Sequence, residues 1–215
     1  MPFGRQRRGE NYAVSHAFRA GNAGRGPCVS LRQEITGKPG SISYMLQKDL
    51  LLPHKKILDN VALPLVLRGE SKQAAREKAR PYFAQFGLEG TEEQYPAQLS
   101  GGMRQRAALL RTFLGSRGVV LLDEPFSALD ALTKREIHRW YMGMMDQLKL
   151  TTLFITHDID EAILLSDRIY ILAGSPGCIA AELTIQPSRP RTVDFALSGV
   201  FLDYKKQILS LLGQS

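Results

Sequence analysis

The chain has 215 residues, 44% hydrophobic and 23% charged, with a net charge of +7. That length suits one sizeable domain. No apolar run approaches the roughly 20 residues of a membrane-spanning helix, and no apolar block follows the basic N-terminus, so no secretory signal is expected. Two cysteines, Cys28 and Cys178, are too few for a disulfide framework and suit a reducing compartment. The charge is uneven: residues 1–40 hold seven Lys/Arg against two Asp/Glu. Such an arm would suit nucleic acid or an acidic membrane surface. Only one Tyr and two Phe accompany it, without a reader motif, so no nucleic-acid partner is expected.

Residues 1–28 are rich in Gly, Arg, Ala and Asn and show no periodicity; they read as coil. Gly37, Pro39 and Gly40 mark a turn, and Ser41 to Leu46 reads as a short strand. Ser71 caps an Ala-rich helix running to about Phe86 and stopped by Gly87. Gln98 to Leu114 reads as a second helix. Val119 to Leu122 is wholly apolar, as a strand covered on both faces should be. A helix from Ala131 to Leu148, a second buried strand from Thr152 to Ile155, a helix from Ile159 to Leu165 and a third strand from Arg168 to Leu172 follow. Strand and helix in alternation predict a parallel α/β sheet. Ile179 to Ile185 reads as an edge strand, ended by Pro187 and Pro190. Phe201 to Leu212 reads as a terminal amphipathic helix.

Three segments carry chemistry. Leu99-Ser100-Gly101-Gly102-Met103-Arg104-Gln105 places a Ser-Gly-Gly turn at a helix start, where bare backbone N–H groups and the helix dipole favour an anion. The same turn could be a plain helix cap, but the helix that follows carries Gln105, Arg106 and Arg111. The apolar strand ends in Asp123-Glu124-Pro125, at the carboxyl edge where open α/β sheets bind ligands. An Asp there can hold Mg²⁺, and a Glu beside it can activate water. Alone, the pair would read equally well as two solvated acids on a turn. A lone His is more often structural, but His157 ends the next strand at the same edge, where it could contact a terminal phosphate or stabilise transition-state charge.

LSGGMRQR, VVLLDEPFSALD and FITHDIDEA, in that order, resemble the ABC transporter ATPase family over about Val29 to Ile185. The resemblance implies a P-loop NTPase-like α/β fold with a helical subdomain at about 50–115 inside a domain of 29–215. It makes Leu99 to Gln105 the signature motif, with Ser100, Gly101, Gly102 and Gln105 facing nucleotide. Asp123 becomes the metal-side acid, Glu124 the catalytic base and His157 the switch histidine. Asp130 closes the D-loop, and Gln47 becomes the Q-loop glutamine that senses metal and γ-phosphate. ATP and Mg²⁺ are the implied cofactors. The implied partners are a second ATPase subunit, an integral-membrane permease contacted near Gln47 and Asp49 to Pro53, and indirectly an extracytoplasmic solute-binding protein. The implied place is the cytoplasmic face of the membrane. SALDALTK from Ser127, Ile155 to Asp167 and the Gly174-Ser175-Pro176-Gly177 turn resemble importers of nitrate, sulfonate or taurine.

One part of the pattern is missing. The family carries a P-loop, G-x-x-x-x-G-K-[ST], some forty residues before the Q-loop glutamine, whose amides and lysine cradle phosphates. Here Gly4 to Gly9 is followed by Glu10 and Asn11. Shifting the reading frame forward by one base lets Gly4 to Ala13 encode G-A-S-G-x-G-K-T-T-L, and Ala17 to Gly26 encode L-S-G-L-E-T-P-D-x-G. Residues from about Gly4 to about Pro27 therefore read as an out-of-frame segment. If the bases stand as translated, the chain is a remnant or a non-catalytic partner that donates only its signature motif.

Overall fold

The computed structural model describes residues 29–30, 33–34, 42–148, 150–173, 178–186, 191 and 193–213. The P-loop question, the turn at Gly37–Gly40, Cys28, the Gly174–Gly177 turn, Pro187 and Pro190 lie outside the described residues. Two compact units are present, residues 42–157 and the remainder.

In the first unit the most apolar segment is the middle of a sheet. Strand β4 (Val119–Asp123) pairs in parallel with β3 (Ser43–Met45) on one side and β5 (Thr151–Ile155) on the other. Val120, Leu121 and Leu122 are buried, as expected for a strand covered on both faces. The expectation of a second buried strand at Thr152 to Ile155 does not hold. Leu153 is 51% exposed, because β5 has only β4 as a neighbour among the described residues.

Between β3 and β4 lie the helices α1 (Ile57–Leu67), α2 (Lys72–Ala79), α3 (Pro81–Gln85) and α4 (Gly101–Leu114). The single helix expected from Ser71 to Phe86 is two. Pro81 has no N–H to continue the first and starts the second, a first-turn position proline tolerates. Ser71 does cap α2, accepting from the Ala74 amide at 3.2 Å, and Gly87 stops α3 at φ +64°. Helix α1 is anchored by Asn60, whose buried amide donates to the carbonyls of Leu52, Lys55 and Lys56 and accepts from the Leu52 N–H. Helix α5 (Ala131–Leu148) returns the chain to β5, completing a β-α-β crossover. Phe126, fully buried, packs edge-on to His138 and Tyr141 and against Phe154, which fixes the turn after β4.

The second unit contains the short hairpin β1 (Val29–Ser30) and β2 (Gln33–Glu34), then α6 (Ile159–Leu165), β6 (Arg168–Ala173), β7 (Cys178–Thr184), α7 (Val193–Ala196) and α8 (Gly199–Gly213). The third strand expected in the parallel sheet is instead one arm of an antiparallel pair, β6 with β7. The parallel sheet takes its third strand from Ser43–Met45. Ile163, Ile171, Ile185, Phe195, Phe201 and Ile208 form this unit's core. Buried Arg191 donates to the carbonyls of Ile163, Leu164 and Ser166, closing the C-terminus of α6.

Candidate active site

Strand β4 delivers two carboxylates to the carboxyl edge of the sheet. Its ladder continues one residue past Asp123, where the Glu124 amide donates to the Ile155 carbonyl at 2.8 Å. Glu124 then adopts φ +44°, a left-handed conformation uncommon for a residue with a side chain. The sharp turn aims its carboxylate back across the sheet edge. There it receives two neighbours from two other strand ends. Gln47, just after β3, donates its Nε2 to Glu124 Oε2 at 2.8 Å and reaches Ser127 Oγ at 3.3 Å. His157, just after β5, places Nδ1 2.9 Å from Glu124 Oε1. The Glu124 side chain is 18% exposed and that of His157 68%, so the carboxylate is sheltered while the histidine faces solvent.

Asp123 has a different partner. Tyr44 on β3 donates its hydroxyl to Asp123 Oδ2 at 2.8 Å. Burial, reinforced by that carboxylate, pushes the Tyr44 hydroxyl well above the ordinary tyrosine value, so it remains a proton donor. Sequence reasoning assigned Tyr44 no role. Its only signal was a place on the strand leading to Gln47.

The signature turn is built as the first half of a helix. Ser100 caps α4, its Oγ accepting from the Met103 amide at 3.2 Å. Ser100 and Gly101 are exposed, whereas Gly102 is buried. A Cβ on Gly102 would stand 2.9 Å from Thr133 Cγ2, so this glycine is needed for the close approach of α4 to α5. Asp130 caps α5, its Oδ1 accepting from the Leu132 and Thr133 amides at 3.1 Å each; a bond from the Thr133 side chain, with these amides, holds its carboxyl below the usual range.

The polar residues along α4 turn inward. Gln105 is 5% exposed and donates to the Pro125 carbonyl, tying the signature helix to the turn after Glu124. Arg106 lies over the Trp140 ring at 5.1 Å. Arg111 donates to the carbonyls of Leu50 at 2.8 Å and Asp49 at 2.6 Å, and Arg104 reaches the Asp49 carboxylate at 3.3 Å. Leu50 itself sits at φ +45°. The segment after Gln47 is thus held in a strained shape by the signature helix. The sequence marked Arg111 as unusual without showing what it grips.

Among the expected site residues, the structure brings Gln47, Asp123, Glu124 and His157 together at one edge and presents Ser100 and Gly101 to solvent. Residues 22–127 match the ABC transporter family. The aliphatic sulfonates import ATP-binding protein SsuB 2 of Streptomyces avermitilis is 37% identical over 204 residues, covering 90% of this chain and 78% of that protein. The chain belongs to the ABC transporter ATP-binding family. The nitrate import ATP-binding protein NrtD of Synechocystis sp. is 36% identical, covering 84% of this chain and 70% of its own length. The formylaminopyrimidine import ATP-binding protein ThiZ of Halalkalibacterium halodurans reaches 50% identity over 155 residues, and the chain covers 62% of that relative, a little under two thirds. Among solved structures, a dimeric ATP-binding cassette in a post-hydrolysis state bound to ADP and Pi superposes with TM-score 0.60 at 26% identity, covering 74% of this chain and 73% of its own. The cbiO1 protein of Clostridium perfringens shares the fold at TM-score 0.58 and 22% identity, over 66% of this chain and 60% of that chain. The family match begins beyond Gly4–Ala13, the stretch in which Glu10 and Asn11 follow Gly9.

Among the described residues no three His, Cys, Asp or Glu converge as a metal cage. The donors at this edge, the Asp123 carboxylate and the Gln47 amide oxygen, fit a hard cation that takes most of its shell from phosphate and water, as Mg²⁺ does. No helix among the described residues is long and apolar enough to cross a membrane.

Proposed function

We propose that the chain is the ATP-hydrolysing subunit of an ABC importer for a small solute such as nitrate, sulfonate or taurine. The observation that carries this reading is the Glu124 carboxylate, held between Gln47 and His157 beside Asp123. Glu124 takes the proton of the attacking water. Gln47 and His157 fix its two oxygens, one each, and keep it aimed at the water site. Asp123, oriented by Tyr44, faces the metal side together with the Gln47 amide oxygen. Mg²⁺, when bound with ATP, neutralises charge on the phosphates. Ser100, Gly101 and Gly102 serve the nucleotide of a second ATPase subunit, and Asp130 lies at the same joint. Gln47 and Asp49 to Pro53 form the permease contact. An extracytoplasmic solute-binding protein delivers the solute to that permease, with this subunit at the cytoplasmic face. The import names of the relatives and the dimeric solved neighbour support the assignment.

A second reading rests on Glu10 and Asn11 standing where the P-loop has Lys and Ser/Thr. In that reading the chain donates its exposed Ser100–Gly101 turn to an intact partner and hydrolyses nothing alone. Resequencing the codons for Met1 to Ser30, then assaying ATP hydrolysis by the encoded protein and its Glu124→Gln variant, separates the two. A base change that restores the P-loop, with hydrolysis lost in Glu124→Gln, is the expected result. Unchanged bases and no hydrolysis overturn it. In that case a nucleotide-dependent heterodimer with an intact ATPase subunit would carry the second reading.

A further inference from the structure

Asp123 and Glu124 bring four carboxylate oxygens to the end of β4, and all but one are engaged. Glu124 Oε2 accepts from Gln47, Glu124 Oε1 meets His157, and Asp123 Oδ2 accepts from the Tyr44 hydroxyl at 2.8 Å. Asp123 Oδ1 has no hydrogen-bond partner among the described residues. The register explains how Tyr44 reaches its oxygen. Tyr44 lies opposite Leu121 in the parallel β3–β4 ladder, so it shares a face with Asp123, two residues further along β4. A long side chain that ends in a donor spans that diagonal. A phenylalanine in its place would leave Oδ2 open.

We infer that Tyr44 is a specificity-determining residue, which makes Asp123 a one-oxygen ligand and thereby favours Mg²⁺ over Ca²⁺ beside the nucleotide. The inference rests on the reading of Asp123 as the metal-side acid. Hard divalent cations differ in what they ask of a carboxylate. Ca²⁺ takes about six to eight oxygens and gains from a carboxylate that offers both. Mg²⁺ takes about six at shorter range, keeps several waters, and needs one carboxylate oxygen beside phosphate. Gln47 does not offset the withheld oxygen. Its Nε2 is committed to Glu124 and Ser127, so its amide oxygen adds one donor and no more. No cluster of three His, Cys, Asp or Glu among the described residues supplies another.

The test measures the Kd of mant-ATP for the full chain encoded by the resequenced gene, once at saturating Mg²⁺ and once at saturating Ca²⁺. The parent, Tyr44→Phe and Asp123→Asn are compared. The parent should bind more tightly with Mg²⁺. In Tyr44→Phe the advantage of Mg²⁺ over Ca²⁺ should shrink about tenfold, chiefly through tighter binding with Ca²⁺. The ratio is internal to each protein, so a less stable variant weakens both affinities and leaves it unchanged. An unchanged ratio, or equal weakening with both ions, overturns the inference and leaves the metal-side reading of Asp123 standing. If Asp123→Asn keeps the parent's affinities, or the parent binds no mant-ATP with either ion, that reading falls and the inference falls with it.

Discussion

The end of β4 and the start of α4 lie in one unit and are wired in opposite senses. At β4, Asp123 and Glu124 are each engaged by side chains from neighbouring strand ends: Tyr44, Gln47 and His157. At α4, Ser100 and Gly101 are exposed, and among the described residues the Ser100 side chain makes the local bond of a helix cap, to the Met103 amide. A group that must activate water has to be aimed, and aiming takes several elements. A turn that offers backbone N–H groups to an anion needs only an open helix start. On the proposed reading, the first arrangement serves this chain's own chemistry and the second a ligand that another molecule brings.

The largest expected effect breaks the wired side. In the product carrying an intact P-loop, Glu124→Gln should lower ATP hydrolysis by about a hundredfold or more while nucleotide-dependent pairing persists. An ATPase assay beside gel filtration with ATP checks both. On the open side, Gly102→Ala should destabilise the chain by about 1–3 kcal/mol in urea melts, because the new methyl meets Thr133 Cγ2. Adding Thr133→Ser, which removes that methyl, should recover most of the loss. Failure to recover would mean that backbone conformation, not the α4–α5 approach, fixes this glycine.

Arg111→Ala should cost roughly 1–2 kcal/mol and speed amide exchange at residues 49–51, because two carbonyls beside the strained Leu50 lose their donor. Hydrogen exchange by mass spectrometry reads this directly. Arg111→Lys should recover only part, since one ammonium does not reproduce the fork. The smallest effect is Tyr44→Phe, about 1 kcal/mol from the lost bond to Asp123. It carries a pH signature. The Tyr44 hydroxyl is raised in the folded chain, so its contribution is complete below the ordinary tyrosine value of 10.0 and is lost as pH rises beyond it. Stability of the parent chain should therefore fall more steeply above pH 10 than that of Tyr44→Phe.

Much of the site was legible because its residues are close in sequence to strand ends and helix starts. VVLLDE announces a buried strand and its acids together, and SGG announces a helix cap. What lay hidden depends on partners far along the chain. Tyr44 and Asp123 are 79 residues apart, and Arg111 and Leu50 are 61 apart. Helix α1 was obscured by Pro64 in its interior and by an apolar composition without clean periodicity. Pro81, read as part of one helix, divides two. Gln105, Arg106 and Arg111 stood out in the sequence as unusual for a plain helix cap, and the fold shows Gln105 meeting the Pro125 carbonyl and Arg106 the Trp140 ring.

By itself the sequence determined the α/β class, the order of the motifs, the family they resemble and the lack of a G-x-x-x-x-G-K-[ST] string near the start. These follow from local composition, which turn and strand chemistry make readable one segment at a time. Only the tertiary structure decided that β6 pairs with β7 and not with the parallel sheet, since β pairing is set by which edges meet in space. The fold alone also closed Gln47, Glu124 and His157 into one constellation, because three strand ends brought side by side supply a geometry that no single segment encodes.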